Sequence, residues 1–194
     1  CGQPISWRYP VVEFVMATLF SIVTYSVGPS WILVEYLIFV FALVVVSFID
    51  LEHMILPDVF TISGSILGLL GASLNPEREF FEAFIGFGVG LFSLWAVAVI
   101  YYWLTGREGM GGGDIKLLAW IGSVLGWIAV PYTIMTSCIV ASGIGVIVAL
   151  RSEKGFQAGI PFGPFLALGA VSFIIGGRDI AIWYIRLINP TLLQ

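Results

Sequence analysis

Residues 31–50 read WILVEYLIFVFALVVVSFID, an apolar run with one acid near its start and a second, Asp50, at its end. A helix needs about 20 mostly apolar residues to cross a bilayer, and this run has that length and composition. A lipid-exposed strand would have to close into a barrel and would alternate with period two. These residues are apolar without alternation, so the run reads as a membrane-spanning helix.

The segment itself is about 31–49, and working outward from it, six further apolar segments stand at about 11–27, 56–74, 80–104, 115–129, 131–150 and 160–177. The expected fold is therefore all-α: a polytopic transmembrane helical bundle of about seven membrane segments. The segments 11–27 and 115–129 are short and are expected to tilt or to be partly re-entrant. Gly28-Pro29-Ser30, Asn75-Pro76 and Val130-Pro131 mark breaks between segments. The mixed tail 178–194, with Arg178, Asp179, Trp183, Tyr184 and Arg186, is expected to lie along the interface. The polar opening stretch does not read as a signal peptide.

Composition agrees. Of 194 residues, 59% are hydrophobic and only 10% charged, against roughly a quarter charged in soluble domains. Disorder, a coiled coil and a disulfide-stapled secreted fold do not fit these figures. A net charge of −4 leaves no basic surface for nucleic acid. Cys1 and Cys138 are too far apart in sequence to suggest a disulfide framework.

Orientation follows from lysine and arginine. With residues 1–10 in the cytoplasm, the loops 50–55, 105–114 and 151–159 join them there. Arg8, Arg107, Arg151 and Lys154 fall on that side, with Lys116 at its edge, and the opposite loops hold only Arg78. Asp50 and Asp114 then arrive at one membrane depth on the cytoplasmic side.

Ionisable groups at membrane depth are expensive, so each needs a reason. Asp50 ends an apolar run, where the negative end of the helix dipole is unfavourable for a carboxylate. A role as a mere terminator therefore suits it poorly. Asp114 follows Gly109-Met110-Gly111-Gly112-Gly113, and either starts a helix after a flexible loop or faces a chain passing close to the glycines. A phosphate cradle fits badly, since no Gly-Lys-Ser/Thr follows. In Leu56-Pro57-Asp58 the proline suits the first helical position and Asp58 a helix-start cap, with catalysis as its reserve role. A metal site from His53, Asp50 and Glu52 lacks a second His or Cys. Glu13 and Glu35, inside apolar segments, face headgroups or line an ion path.

Two carboxyl groups brought together share a proton, because both cannot ionise cheaply. Such a pair activates water, the ionised member as base and the neutral one as acid. Helix dipoles suggest Asp50, at a C-terminus, as the protonated member and Asp114, at an N-terminus, as the ionised one. The rival from another class is a proton- or ion-coupled transporter, relaying through Asp50, Asp114, Glu13 and Glu35. That reading expects acids at the midplane and paired broken helices. A non-catalytic membrane scaffold would leave Asp50 unexplained.

The motifs also carry a resemblance. Gly111-Gly112-Gly113-Asp114-Ile115-Lys116 resembles the GxGD signature in its GxGDxK form. Asp50 followed by a short loop and Leu56-Pro57-Asp58 resembles its partner motif. Ile160-Pro161-Phe162-Gly163-Pro164 and the opening Cys1-Gly2-Gln3-Pro4 are similar to the same family, the type IV prepilin peptidases, intramembrane aspartyl proteases of pilus and type II secretion systems. The resemblance implies Asp50 and Asp114 as catalytic, with Gly111, Gly113, Lys116 and Asp58 supporting them. It implies type IV prepilins and pseudopilins as substrates in a bacterial inner membrane. Their short basic leader is cut on the cytoplasmic side, before the mature apolar helix, and the acids around Asp50 and Asp114 suit that charge. Proteolysis needs no cofactor.

Longer members of that family carry a further N-terminal region with two cysteine pairs, linked to zinc, S-adenosylmethionine and N-methylation. Here only Cys1 matches it, and one cysteine cannot hold zinc, so no metal site is expected in this chain. Residues 1–10 read as a remnant of that region and 11–194 as the protease domain of an N-terminally truncated parent.

Overall fold

The structure, a computed structural model, describes residues 7–151 and 160–188. Cys1 and Lys154 lie outside these residues. The chain runs through α1 (Arg8–Val27), α2 (Trp31–His53), α3 (Asp58–Leu74), α4 (Phe80–Thr105), α5 (Gly112–Leu125), α6 (Ala129–Arg151), α7 (Gly163–Ser172) and α8 (Arg178–Ile188). A π-helical turn, Phe173–Gly177, joins α7 to α8. No strand occurs among the described residues.

Five stretches are long and apolar enough to cross a membrane: Tyr9–Val27, Trp31–His53, Phe80–Thr105, Ala129–Arg151 and Gly163–Leu187. The expected helical membrane bundle is thus what the chain forms. Every segment expected from the sequence is helical, but α3 has 17 residues and α5 only 14. At 1.5 Å per residue, α5 is about 21 Å long, short of a hydrocarbon core of about 30 Å.

Several boundaries differ from expectation, each for a local reason. The first span begins at Arg8 and is long enough to cross. α2 continues past Asp50 to His53 and stops at Met54, which adopts a left-handed φ of 52° and returns its N–H to the Asp50 carbonyl at 2.8 Å. Pro57 is the N-cap of α3 rather than its first residue. The glycines before Asp114 are themselves helical from Gly112, so α5 is shifted toward the N-terminus of its expected range. Its end falls at Gly126, whose φ of 82° suits glycine, and Pro131 sits in the first turn of α6, where a missing N–H is tolerated. Of the tail expected along the interface, Arg178–Ile188 is helical and follows α7 through a bend where Gly176 leaves helical geometry, while 189–194 lie outside the described residues.

In lipid, helices gain little from hiding apolar surface, so small residues and polar contacts decide their packing. α5 is the centre of the bundle: Leu117 through Val124 are all buried. It packs most extensively on α4 and then on α3. Gly86 of α4 and Gly122 of α5 meet backbone to backbone, and a Cβ on either would overlap the other's carbonyl. On its other side Trp120 meets Phe39 of α2 edge to face, ring centres 5.1 Å apart. α6 and α7 are joined by a hydroxyl: Ser137 Oγ donates to the Phe165 carbonyl at 2.9 Å. α1, α4 and α6 leave large apolar side chains such as Phe14, Phe92 and Ile139 exposed, as lipid-facing surfaces do.

Candidate active site

The ends of α2, α3, α5 and α7 converge at one end of the bundle around a cavity of about 630 Å³. Asp50 and Asp114 both line it, together with Leu56, Asp58, Gly111, Gly113, Lys116 and Phe162. The structure thereby brings together every supporting residue expected from the sequence.

Leu56 knits the three approaching segments. A Cβ on Gly113 would lie 2.7 Å from Leu56 Cβ, and one on Gly163 would lie 3.1 Å from Leu56 Cδ2. The start of α5 and the start of α7 thus both close on the α2–α3 loop, and only a residue without a side chain permits that approach.

Asp50 is 5% exposed. Its Oδ2 accepts a hydrogen bond from the Gly163 backbone N–H at 3.1 Å. Gly163 is the first residue of α7, so this carboxylate takes one of the helix's unpaired donors and faces the positive end of the α7 dipole. The sequence places Asp50 against the negative end of its own helix; the partner that answers this is α7. Gly163 was not singled out as a site residue, and the only signal for it is the Ile160-Pro161-Phe162-Gly163-Pro164 motif.

Asp114 lies in the first turn of the short α5, outside the five spanning stretches. Burial, and after it the Asp50 charge, push its carboxyl up to about 6. The N-terminal dipole of α5 favours ionisation, as expected from the sequence, but here burial and a like charge outweigh it. At Asp114 the surroundings thus work against the ionisation expected from its place at a helix start. Gly111 lies beside the same carboxylate, with space for a Cβ 3.8 Å from Asp114 Oδ2.

Asp58 is the first residue of α3, in the first turn expected of it, where the helix dipole favours its charge. Its Oδ1 accepts from Lys116 Nζ at 2.6 Å, across the cavity wall from α3 to α5. His53 Nε2 lies 3.9 Å from Glu52, and both are largely exposed. Among the described residues no three His, Cys, Asp or Glu side chains converge as a ligand set, so the grouping of His53, Asp50 and Glu52 has no geometry behind it. Cys138 is exposed. The acids of a transport relay are dispersed: Glu13 is exposed on α1, while Glu35 sits at the opposite end of the bundle, paired with Arg78.

The fold defines a class: a polytopic helical bundle with spans long and apolar enough for a membrane, and two carboxyl groups facing one cavity at its end. The chain belongs to the type IV leader peptidase family, whose model matches residues 37–146, a range that includes both Asp50 and Asp114. It is 38% identical over 185 residues to a prepilin leader peptidase/N-methyltransferase of Aeromonas hydrophila, covering 95% of this chain and 64% of that protein. It is 35% identical over 186 residues to one of Pseudomonas aeruginosa, covering 96% and 64%. For one of Xanthomonas campestris pv. campestris the identity is 36% over 185 residues, covering 95% and 64%. The chain thus spans just under two thirds of the length of these curated relatives. No solved structure gives a significant match.

Proposed function

We propose that this chain is an intramembrane aspartic endopeptidase that removes the leader of type IV prepilins or pseudopilins on the cytoplasmic side of a bacterial inner membrane. The observation that carries the reading is that Asp50 and Asp114 line one cavity, where the Asp50 charge adds to burial in raising the Asp114 carboxyl. Family membership and the names of the relatives supply the substrate class. The distribution of lysine and arginine supplies the orientation.

The surroundings suggest how the pair divides its work. Asp50, against the Gly163 N–H, carries the negative charge and takes a proton from water. The hydroxide formed attacks the scissile carbonyl carbon while Asp114 gives its proton to the carbonyl oxygen. Collapse of the tetrahedral species re-forms the carbonyl and breaks the C–N bond, and the leaving nitrogen takes the proton now on Asp50. The gem-diol proton returns to Asp114, so both residues end as they began.

Cofactors have no part in this cycle. Zinc and S-adenosylmethionine belong to the N-terminal region of longer family members, and we assign methyl transfer to that region.

The test is cleavage of a prepilin by the purified protein, compared with Asp50→Asn and Asp114→Asn. Each amide keeps the shape and removes proton exchange, so each variant should lose turnover. Undiminished cleavage by either one overturns the pair.

A further inference from the structure

The loop Asn75–Glu79 joins α3 to α4 at the end of the bundle opposite the aspartates. Its Arg78 side chain is only 7% exposed. A guanidinium so enclosed requires compensation from every side, and three helices provide it. Nη1 pairs with the Glu35 carboxylate on α2 and donates to the Gly68 carbonyl of α3 at 3.2 Å. Nη2 donates to the Ser123 carbonyl of α5 at 2.6 Å. Ser123 is in the last turn of α5, where carbonyls lack helical partners and a cation is favoured.

The neighbouring residue strengthens the clasp. The Glu77 carboxylate accepts from the Trp31 and Ile32 N–H groups at 3.4 and 3.2 Å, in the first turn of α2. Gly71 of α3 leaves room for the Glu35 carboxylate, since a Cβ there would lie 2.6 Å from Oε1. The sequence reads Arg78 merely as the one cation of the opposite loops, and Glu35 as a headgroup or ion-path residue; neither reading anticipates this contact.

α2 and α5 are the helices that carry Asp50 and Asp114. Glu35 stands about 22 Å along α2 from Asp50, and Ser123 about 14 Å along α5 from Asp114, at 1.5 Å per residue. Between the two ends, Phe39 and Trp120 touch. A helix transmits an axial shift along its whole length, so what fixes the far ends also fixes the near ones. We propose that Arg78 is a positioning residue: from the far end of the bundle it sets the register of α2 against α5, and so the approach of Asp50 to Asp114. This rests on the reading of those two aspartates as the catalytic pair.

The test measures kcat, KM, pH profile and thermal unfolding for Arg78→Met, Arg78→Lys and Glu35→Gln with a prepilin substrate. A misplacement of about 1 Å in a catalytic constellation costs on the order of 100-fold. Arg78→Met should therefore lose about 10- to 100-fold in kcat, with KM within about twofold. Arg78→Lys should recover part of the loss, and Glu35→Gln should fall between. The groups facing Asp114 in its cavity are Asp50 of α2, Asp58 of α3 and Lys116 of α5. As Asp50 recedes, Asp114 should release its proton more easily and the alkaline limb should move to lower pH.

Unchanged kcat and limb in folded Arg78→Met overturns the proposal. So does a loss in all three variants that follows unfolding with the limb unmoved. If Arg78→Met does not fold, Glu35→Gln and Arg78→Lys decide by the same two readouts. Full activity of Asp50→Asn and Asp114→Asn would instead remove the underlying assignment, which Arg78 variants do not address.

Discussion

The Asp50 carboxylate and the Gly163 backbone N–H meet at 3.1 Å across 113 residues of sequence. This contact joins the end of α2 to the start of α7 and leaves no space beside it. A Cβ on Gly163 would lie 2.6 Å from Asp50 Oδ2. Gly163→Ala must therefore push the carboxylate aside. Overpacking of this size costs about 1–3 kcal/mol in stability, whereas displacing a catalytic group costs on the order of 100-fold in rate. The variant should fold, melt somewhat lower and lose most of its kcat. A prepilin cleavage assay beside a thermal melt checks both, and near-normal kcat would show that the contact does not position Asp50.

Proton affinity at Asp114 sets a pH dependence. Its carboxyl is pushed up to about 6 from an ordinary 3.8, by burial first and the Asp50 charge second. In the proposed cycle Asp114 is the proton donor, which works below that value and fails above it. The kcat/KM profile should therefore bend downward near pH 6 on its alkaline side. Stability has the same sign. The folded state holds this proton more tightly than the unfolded chain, so its contribution is full below 3.8 and lost as pH rises through about 6. Asp114→Asn removes the titration, and its melting temperature should fall less than that of the parent between about pH 4 and about pH 8. Parallel melting curves for the two proteins would sink the assignment.

Lys116 and Asp58 offer a contrast. Their ion pair is 2.6 Å long, but the side chains are 41% and 58% exposed. Exposed pairs contribute about 0–1 kcal/mol and weaken in salt. Asp58→Asn should therefore keep cleavage within about tenfold and change stability little. The discriminating result is the comparison with Asp50→Asn. Loss of activity in Asp58→Asn, with Asp50→Asn still active, would move the acid pair to Asp58 and Asp114.

Much of this arrangement was legible in the sequence, and the remainder has a common cause. Apolar run length gave the spanning helices, because the bilayer imposes one length scale on each segment separately. Glycines before an acid, together with the alternation of loops, placed Asp50 and Asp114 at one end. Contacts between distant residues carry no such local signal. Asp50 with Gly163, Lys116 with Asp58, and Arg78 with Glu35 all depend on which helices become neighbours, and periodicity within a segment does not encode that. At Asp114 the dipole of an isolated helix favours ionisation, and burial, a property of the assembled bundle, opposes it. The short α5 was misplaced because Gly112 and Gly113, which read as loop, are helical, with the α2–α3 loop closing on Gly113 through Leu56.

The centre of the bundle yields the last prediction. Gly86 and Gly122 bring α4 and α5 together at backbone distance, and a Cβ on Gly122 would overlap the Gly86 carbonyl. A carbonyl within a helix cannot rotate away as a side chain can. Gly122→Ala must therefore separate the two helices along their largest shared surface. Because α5 also carries Asp114, the displacement should reach the cavity as well as the core. Expected are a destabilisation of about 2 kcal/mol or more and a fall in kcat of at least about tenfold. At Gly88, by contrast, a Cβ meets nothing within 4 Å, so Gly88→Ala on the same α4 should leave both quantities near those of the parent. Melting temperature and kcat measured for the two alanine variants side by side decide the matter, and equal behaviour would mean that the close α4–α5 approach does not hold the site together.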